Sequence, residues 1–401
     1  MSASPPTPID IAIFGGGIAG LWLINILRKA GYSCVLLETG TLGGKQTLLS
    51  QGIIHGGLKY ALGGSLSNES EAIAGMPDRW RACINGDGEL DLRTVRVLSD
   101  AQYLWSAGSM ASRVTTFFAS RMLRGRINKL KPDHYPSALQ SKEFRGSVYQ
   151  LDDLVVDTET LIEALASAQR DALLHYDPAE HRLDWQDGKL AAIHLGELEI
   201  RPRMTILAAG AGNEALLAGR GDEIPTKLAT QRRPLHMAIV HHELPHRLYA
   251  HCIGASNKPR LTITTHDLPD GSLIWYLGGE LAERGVDMDE QALIRATRSE
   301  LELLFPWLDF SDATISTVRI DRAEPRENGL VKPDNARVEQ QNNLLVAWPT
   351  KLTLVPDLGE RVLGLLKHSQ TRPQHPQPEF PDTIRRAERG QPVWSARGES
   401  A

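Results

Sequence analysis

The chain has 401 residues, 41% of them hydrophobic and 23% charged, so it can bury a sizeable core. At about 150 residues per domain, this length predicts two to three structural units. The 44 basic and 49 acidic side chains give a net charge of −5, which argues against constitutive nucleic-acid binding, because such proteins usually carry a basic excess. Three widely spaced cysteines exclude a CxxC redox pair and a zinc knuckle. Without a secretory signal or an apolar run of about 18 residues, the sequence predicts a soluble, cytoplasmic protein.

The first predicted elements form a β–turn–α–β unit. Ile9–Phe14 is a short apolar run typical of a strand buried on both faces. A glycine-rich turn follows, and apolar residues at helical spacing then continue to the basic pair at 28–29, which suits a helix C-terminus. Cys34–Leu37 predicts a second buried strand that ends on Glu38. Such a unit is typical of a parallel sheet.

The regular alternation stops after this unit, since residues 40–64 are rich in glycine and small polar residues. The later patterns predict a strand at Leu92–Leu98 and a helix at Leu161–Leu174, with Asp157 and Thr158 as possible caps. They then predict a strand at Met204–Ala209, and antiparallel strands between Leu235 and Gly279 with a turn at Asp270-Gly271. The last predicted elements are a helix at Glu290–Leu304, a strand at Asn343–Trp348 and a helix near Glu360–Lys367. The segment 369–401 has five prolines and predicts a surface-hugging or flexible extension.

The strongest functional signal is the Gly15-x-Gly17-x-x-Gly20 turn between the first strand and the first helix. The first glycine permits a tight turn, the second lets the backbone approach a pyrophosphate, and the third lets helix and strand pack closely. Phosphates then bind at the helix N-terminus. Glu38, 18 residues after Gly20, can accept hydrogen bonds from both ribose hydroxyls and would repel a 2′-phosphate, which disfavours NADP. These features together predict an adenine dinucleotide site.

FAD is the dinucleotide that the rest of the chain favours. Only one complete fingerprint is present, because Gly210-Ala211-Gly212 lacks the third glycine. An enzyme that reduces a bound flavin with NAD(P)H usually needs two nucleotide sites, and a disulfide reductase also needs a cysteine pair. The apolar strands that return at 204–209 and 343–348 indicate a nucleotide domain interrupted by insertions.

These residues resemble the FAD-dependent oxidoreductases of the D-amino-acid oxidase type, which include glycine and sarcosine oxidases, L-2-hydroxyglutarate oxidase and flavin-dependent glycerol-3-phosphate dehydrogenase. The unit at Ile9–Glu38 and the segment Ala208–Ala211 look like the flavin-binding stretches of the group. Ser50–Tyr60 is similar to the flavin-facing stretch of the glycerol-3-phosphate dehydrogenases. Pro349–Thr353 resembles their Gly-Gly-Lys-x-Thr-Thr element, with proline and threonine in place of the glycines.

The resemblance implies an α/β fold in which a Rossmann-like FAD-binding domain is interleaved with an α+β substrate domain built on an antiparallel sheet. We expect the FAD-binding domain at 1–80, 145–225 and 315–368, the substrate domain at 81–144 and 226–314, and a Pro-rich tail at 369–401. The residues expected to hold FAD are Gly15, Gly17, Ile18, Ala19, Gly20, Glu38, Lys45, Gln46, Ser50, Gln51, Gly52, Ala208, Gly210, Thr350, Lys351, Leu352 and Thr353.

Flavin chemistry requires a positioned donor carbon and, for an alcohol, a base for the hydroxyl proton. His55 is the first candidate base, because its glycine neighbours let the backbone pass close to a ring system. A structural role for this histidine and a covalent link to the flavin are the alternatives. His266 is the second candidate, although its position in an expected turn suggests a solvated side chain.

Further candidates concern the anionic group of the substrate. Arg322 resembles the arginine that the family aims at this group, and Arg319 is the nearby alternative; strand alternation allows only one of them to face the site. Either arginine could instead pair with a neighbouring acid. Lys351 could place positive charge beside the pyrimidine edge of the flavin. Lys59 and Tyr60 would complete a polar pocket.

The basic stretch at 112–131 has six basic side chains and no acidic one. As a helix it would have an apolar face and a cationic face, as in segments that lie on a membrane surface. A helix packed on the substrate domain is the leading interpretation, with peripheral contact at the inner face of a membrane and an RNA or anionic-partner surface as alternatives.

The sequence therefore predicts an FAD-dependent oxidase or dehydrogenase. The leading hypothesis is hydride transfer to FAD from a small anionic hydroxy compound, either a 2-hydroxy acid or a polyol phosphate. An amino-acid or secondary-amine oxidase is the alternative, and a flavin-binding partner protein without turnover is the third. The electron acceptor is expected to be oxygen, a quinone or another protein.

Overall fold

The computed structural model describes residues 5–57, 73–106, 127–254, 258–326 and 335–395. Its strands, numbered in chain order, are β1 Thr7–Phe14, β2 Cys34–Glu38, β3 Ile53–Ile54, β4 Val97–Ser99, β5 Gln102–Ser106, β6 Ile127–Lys129, β7 Ser147–Leu151, β8 Leu154–Val156, β9 Leu173–His175, β10 Arg182–Gln186, β11 Lys189–Leu195, β12 Leu198–Leu207, β13 Thr230–His242, β14 Ala250–Ile253, β15 Pro259–Asp267, β16 Leu273–Gly278, β17 Thr314–Pro325, β18 Arg337–Gln341 and β19 Leu344–Trp348. The α-helices are α1 Ile18–Lys29, α2 Met76–Asn85, α3 Thr158–Ser167, α4 Asn213–Ala218, α5 Glu280–Arg284, α6 Glu290–Leu304 and α7 Val355–His368.

The first sheet has a parallel centre in the order β9-β2-β1-β12-β19, and β10, β11 and β18 extend it in antiparallel pairings. Its central strands are buried on both faces, as their continuous apolar runs require. Because parallel strands share a direction, β1, β2, β12 and β19 end at one edge of the sheet, which we call the carboxyl edge. The loops that leave these four strands therefore lie close together.

The second sheet has the order β17-β13-β16-β15-β14-β5-β7-β6 and is antiparallel except for the β14–β5 pair. One face packs on α6 through a core that includes Trp275 and Phe305. The opposite face carries a separate apolar cluster around Met237, Tyr276 and Ile320, and we call it the inner face. A small third sheet, β3-β8-β4, completes the strand pairing of the described residues.

Most predicted elements are confirmed, but the strand at Leu92–Leu98 and the helix at Leu161–Leu174 are wrong for identifiable reasons. The strand expected at Leu92–Leu98 is reduced to β4, because Leu92 N donates back to Cys83 O at the end of α2. The helix expected at Leu161–Leu174 ends at Ser167, and Leu173–His175 is instead a parallel strand beside β2. A short apolar run fits either structure, so periodicity could not separate them. Asp157 caps α3 as expected, since its Oδ1 accepts from Thr160 N at 2.9 Å.

Two of the segments expected in the FAD-binding domain contribute strands to both large sheets. Strands β7 and β17 pair within the second sheet, although the ranges 145–225 and 315–368 placed them with the nucleotide-binding strands. The basic stretch lies outside the described residues except for 127–131, of which Ile127–Lys129 is a strand. The expected helix is therefore wrong for these three residues, because they pair with β7. No described helix is long and apolar enough to cross a membrane.

Candidate functional site

The glycine turn after β1 is fixed by close backbone packing. Gly15 has a φ of +108°, and a Cβ there would lie 2.5 Å from Ala209 Cα in the loop after β12. At Gly20, a Cβ would lie 1.9 Å from Gly15 O, so α1 could not approach the turn. The two glycines thus bring the start of α1 and the loop after β12 together at the carboxyl edge, as the fingerprint requires.

The N-terminus of α1 has the properties of an anion site. Gly17 supplies no side-chain cap, and the first turn, which contains Ile18 and Ala19, has no acidic residue. Thr47, which the sequence did not indicate, accepts from Ile18 N through Oγ1 at 3.0 Å. The positive end of the helix dipole therefore lies at the turn.

Glu38 ends β2 beside this turn. Its Oε2 accepts from Gly16 N at 2.5 Å, and its Oε1 accepts from Gly40 N at 2.7 Å. Two backbone amides therefore fix the carboxylate at the carboxyl edge, where the sequence placed an acid for ribose recognition. Lys45, farther along the same loop, is exposed.

The loop at 39–57 connects the carboxyl edge to the second sheet. Gln46 Oε1 accepts from Ala323 N of β17 at 3.2 Å. Gln51 Nε2 donates to Thr262 O at 3.2 Å and to Tyr276 O at 2.9 Å, on two neighbouring strands of the second sheet. These two glutamines, which the sequence predicted to hold FAD, hold the loop against the second sheet through these contacts.

The loop after β12 meets the same residues. Ala208 is buried, and Gly210 has a φ of +58°. A Cβ on Gly210 would lie 3.7 Å from Ala323 Cβ and 3.9 Å from Gln46 Oε1. Asn213, missed by the sequence analysis, accepts from Ala209 N at 2.9 Å and holds the turn.

His55 lies against the segment that follows β19. Thr353 Oγ1 donates to His55 O at 3.1 Å, and both residues are buried. Lys351 and Leu352 are half-buried at the start of the short 3-10 turn that leads into α7. The structure therefore joins the candidate base to the 349–353 segment, about 300 residues away in sequence.

At two positions in these segments, contacts within the protein account for the residue type or the backbone conformation. Gly52 has a φ of +67°, and a Cβ there would lie 2.0 Å from Val156 O, so packing on β8 alone requires a glycine. Thr350 has a φ of +60°, which is unusual for a β-branched residue, and its Oγ1 donates to Asn335 O at 3.1 Å. Threonine thus adopts the backbone conformation that the glycine of the resembling element would favour.

The two candidate arginines lie on opposite faces of β17. Arg319 stands opposite His236 and donates to Val286 O at 3.0 Å and Met288 O at 2.6 Å, on the helix-covered side. Arg322 follows the inner-face residue Ile320 by two positions and so shares its face. The guanidinium of Arg319 is therefore turned away from the 39–57 loop, and the structure favours Arg322 for the inner face.

Two acids next to Arg322 in sequence form ion pairs with β13. Asp321 Oδ2 lies 3.4 Å from Nη1 of Arg232, and Glu324 Oε2 lies 3.0 Å from Nη2 of Arg233. These ion pairs join the neighbouring strands β13 and β17.

His266 is not in the turn that the sequence predicted. It lies in β15 at 3% exposure, and burial lowers the pKa of its imidazole to about 4. The ring of Trp394 covers it at a centroid distance of 4.5 Å. A neutral, covered histidine is poorly placed to exchange protons with a substrate. Lys59 and Tyr60 lie outside the described residues.

The inner face also contains polar side chains that the sequence did not indicate. Gln102 and Ser106 are fully buried on β5, on either side of Leu104 and on the same face. Within the described chain, neither the amide of Gln102 nor the hydroxyl of Ser106 has a hydrogen-bond partner. His251 Nδ1 and Thr262 Oγ1 lie 2.9 Å apart on the neighbouring strands. At this end of the face, these polar groups therefore lie beside an apolar cluster that includes Leu104 and Ile253, while Arg322 lies toward the opposite edge.

The residues at the carboxyl edge fit FAD. The N-terminus of α1, whose first turn has no acidic residue, suits a pyrophosphate, and Glu38 suits a ribose. Ser50, predicted to contact the cofactor, has a buried Oγ with no partner among the described residues, as expected of a group awaiting a ligand. The model of the family described as FAD dependent oxidoreductase matches residues 10–347.

The chain belongs to this family. It is 51% identical over 365 residues to a probable FAD-dependent oxidoreductase of Pseudomonas aeruginosa, covering 91% of this chain and 92% of that relative. The crystal structure of that oxidoreductase superposes with a TM-score of 0.84, at 45% identity and 98% coverage of both chains. The glycine oxidase of Geobacillus kaustophilus shares the fold, with a TM-score of 0.63, 17% identity and coverage of 90% of this chain and 95% of that one.

The protein is an FAD-dependent oxidoreductase of mixed α/β fold, so the predictions of fold class, cofactor and enzyme class are confirmed. Gly15, Gly17, Gly20, Glu38, Ser50 and Gly210 would hold the dinucleotide. When bound, FAD supplies a ring that accepts a hydride from a substrate carbon.

Proposed function

We propose that this oxidoreductase oxidises a small anionic hydroxy compound, either a 2-hydroxy acid or a polyol phosphate. The observation that carries the proposal is the contact between His55 and the segment 349–353, made by the hydrogen bond from Thr353 Oγ1 to His55 O. Both segments resemble glycerol-3-phosphate dehydrogenases, whose substrate is an alcohol. Oxidation of an alcohol releases a hydroxyl proton, and the imidazole of His55, a residue held to this segment through its backbone carbonyl, would accept that proton.

Arg322 would bind the anionic group of the substrate. Its Nε and Nη2 atoms are buried, and a guanidinium in that setting binds a carboxylate or phosphate more strongly than one in water. Lys351 would add positive charge at the cofactor segment, and oxygen, a quinone or a protein would accept the electrons.

Oxidation of an amino acid or a secondary amine is the second candidate. It is supported by the shared fold of glycine oxidase, whose name indicates a C–N substrate. A neutral amine can be oxidised without a base from the protein, so His55 would matter much less for this reaction.

Anaerobic addition of hydroxy acids, polyol phosphates and amino acids to the FAD-loaded protein tests both candidates. Under the leading proposal, hydroxy compounds bleach the visible flavin band, and His55→Gln slows the bleaching by about a hundredfold or more at neutral pH. Bleaching by amino acids alone, with His55→Gln fully active, would establish the second candidate instead. A protein that no compound bleaches would be a flavin-binding partner without turnover.

A further inference from the structure

The C-terminal residues 373–395, which we call the strap, are bound to the first sheet at several points. The side-chain amide of Gln377 accepts from Cys34 N and donates to Cys34 O, both at 2.9 Å. Farther along, Arg385 O accepts from His175 N at 2.8 Å, and Ala387 N donates to Leu173 O at 3.0 Å. The strap therefore extends the edge of the first sheet beside β9, which agrees with the first of the two alternatives predicted for it, a surface-hugging or a flexible extension.

The strap then crosses the 39–57 loop. Leu42 N donates to Glu388 O at 2.8 Å, and Gly390 N donates to Leu42 O at 3.0 Å, so the strap backbone forms hydrogen bonds on both sides of one loop residue. A Cβ on Gly390 would lie 2.9 Å from Gly44 Cα and from Leu48 Cδ1. Only a glycine permits this closeness between the strap and the loop.

Past this crossing, the strap reaches the inner face of the second sheet. Trp394 is 5% exposed, and its ring lies 4.5 Å from the ring of His266 and 5.1 Å from that of Tyr276. Tyr276 in turn donates through its hydroxyl to Leu49 O at 2.8 Å, directly before Ser50. One tryptophan thus packs on the residue that holds the loop at the point where it enters the cofactor site.

From these contacts we propose that the strap is a positioning element for FAD and that Trp394 is its anchor. The loop at 39–57 bears Gln46, Ser50 and Gln51, and it is held at Leu42 by the strap and at Leu49 by Tyr276. With both points fixed, the loop is ordered before the cofactor binds. The free-energy cost of ordering the loop is therefore not subtracted from the binding free energy of FAD. The anchor belongs to a small cluster separate from the main cores, so its loss should loosen the loop before it unfolds the sheets.

The test compares Trp394→Ala with Trp394→Phe and with Val393→Ala, whose parent side chain is 39% exposed. FAD release from the loaded protein is followed by the rise in flavin fluorescence after dilution, and hydrogen exchange is measured in the same samples. We expect Trp394→Ala to release FAD about tenfold faster, since a lost aromatic pair and its burial together exceed about 1.4 kcal/mol. Exchange should rise at residues 41–50 and stay unchanged in α6. Trp394→Phe should restore most of the retention, and Val393→Ala should match the parent.

A second variant tests the strap without touching the inner face. Gly390→Ala pushes the strap away from Gly44 and Leu48 while leaving Trp394 in place, and it should also speed FAD release and exchange at 41–50. Unchanged FAD release in both Trp394→Ala and Gly390→Ala would overturn the proposal. Exchange that rises equally in the loop and in α6 would also overturn it, since that pattern indicates a general stabilising role.

Discussion

The carboxyl edge of the first sheet and the inner face of the second sheet, the two halves of the candidate site, are built by different means. At the edge, the backbone sets the geometry, because Gly15 and Gly20 admit close approach of the chain and α1 begins at the turn. On the inner face, side chains such as Gln102 and Arg322 come from strands more than 200 residues apart. Backbone recognition suits a cofactor shared by a family, whereas side chains can vary with the substrate.

This contrast predicts that even a glycine-to-alanine substitution at the carboxyl edge is more damaging than a substitution on the inner face. Gly20→Ala would place a Cβ 1.9 Å from Gly15 O, so we expect loss of FAD and of folded protein in a visible-absorbance and thermal-melting assay. Gly364→Ala is the matched control. Gly364 is exposed on α7, and nothing lies within 4 Å of a Cβ added there. It should raise stability by about 0.5–1 kcal/mol. A yellow, fully folded Gly20→Ala protein would show that the turn is not tightly packed.

The inner face should instead respond to pH through His266. Its pKa is lowered from 6.5 to about 4, so between these values the unfolded chain binds a proton that the folded protein excludes. Stability should therefore fall as the pH drops from 6.5 towards 4, by up to about 3 kcal/mol at 1.36 kcal/mol per pH unit. Urea unfolding of His266→Gln should lack this part of the slope, whereas His368→Gln, an exposed change, should keep it. Equal slopes in all three proteins would contradict a neutral His266.

The two faces of β17 allow a direct comparison of arginines. Under the proposed function, Arg322→Leu should raise the KM for the anionic substrate by about 10- to 100-fold, because a charge-assisted contact contributes about 1.5–3 kcal/mol. Arg319→Leu, which removes a guanidinium from the other face, should leave KM near the parent value. Steady-state kinetics of both variants and the parent give the KM values for this comparison. An equal effect of the two substitutions would remove Arg322 from the substrate site.

The smallest expected effect concerns the buried polar groups of β5. Replacing the amide of Gln102 with an apolar group removes a desolvation cost, so Gln102→Leu should stabilise the substrate-free protein by about 1 kcal/mol. Gln186→Leu, on the exposed part of β10, is the control and should change stability by less than about 0.5 kcal/mol. Thermal melting of the two variants and the parent, without substrate, measures both stability changes. Destabilisation by Gln102→Leu would show that its amide is satisfied in the folded chain.

Sequence reasoning succeeded where the determinants are local. The fingerprint, the bounds of α1 and α6 and the cap at Asp157 each follow from residues within one turn or strand. It failed at Leu173–His175, where three apolar residues become a strand only because β2 lies beside them. Its turn at His266 was wrong for a related reason, since pairing with β16 extends β15 through that residue.

The burial of Trp394 and the composition of the inner face could not be predicted from the sequence, for a further physical reason. Trp394 sits in a proline-rich segment of low apolar content, and its burial depends on aromatic partners in β15 and β16. The alternation of β5 does not reveal that Gln102 is buried, because that depends on which element covers the face. Arg322 could be separated from Arg319 in principle, since alternation assigns them opposite faces, but only the structure shows which face is the inner one.

The pairing of β1 with β12 has a consequence for how the chain folds. During synthesis the glycine turn is made among the first residues, yet β1 gains its second neighbour only after residue 198 is made, and β12 gains β19 only after residue 344. Contacts this distant in sequence slow folding and leave strand edges unpaired in the meantime. Fragments that end before residue 344 should therefore aggregate when expressed alone, even though they contain the complete nucleotide fingerprint.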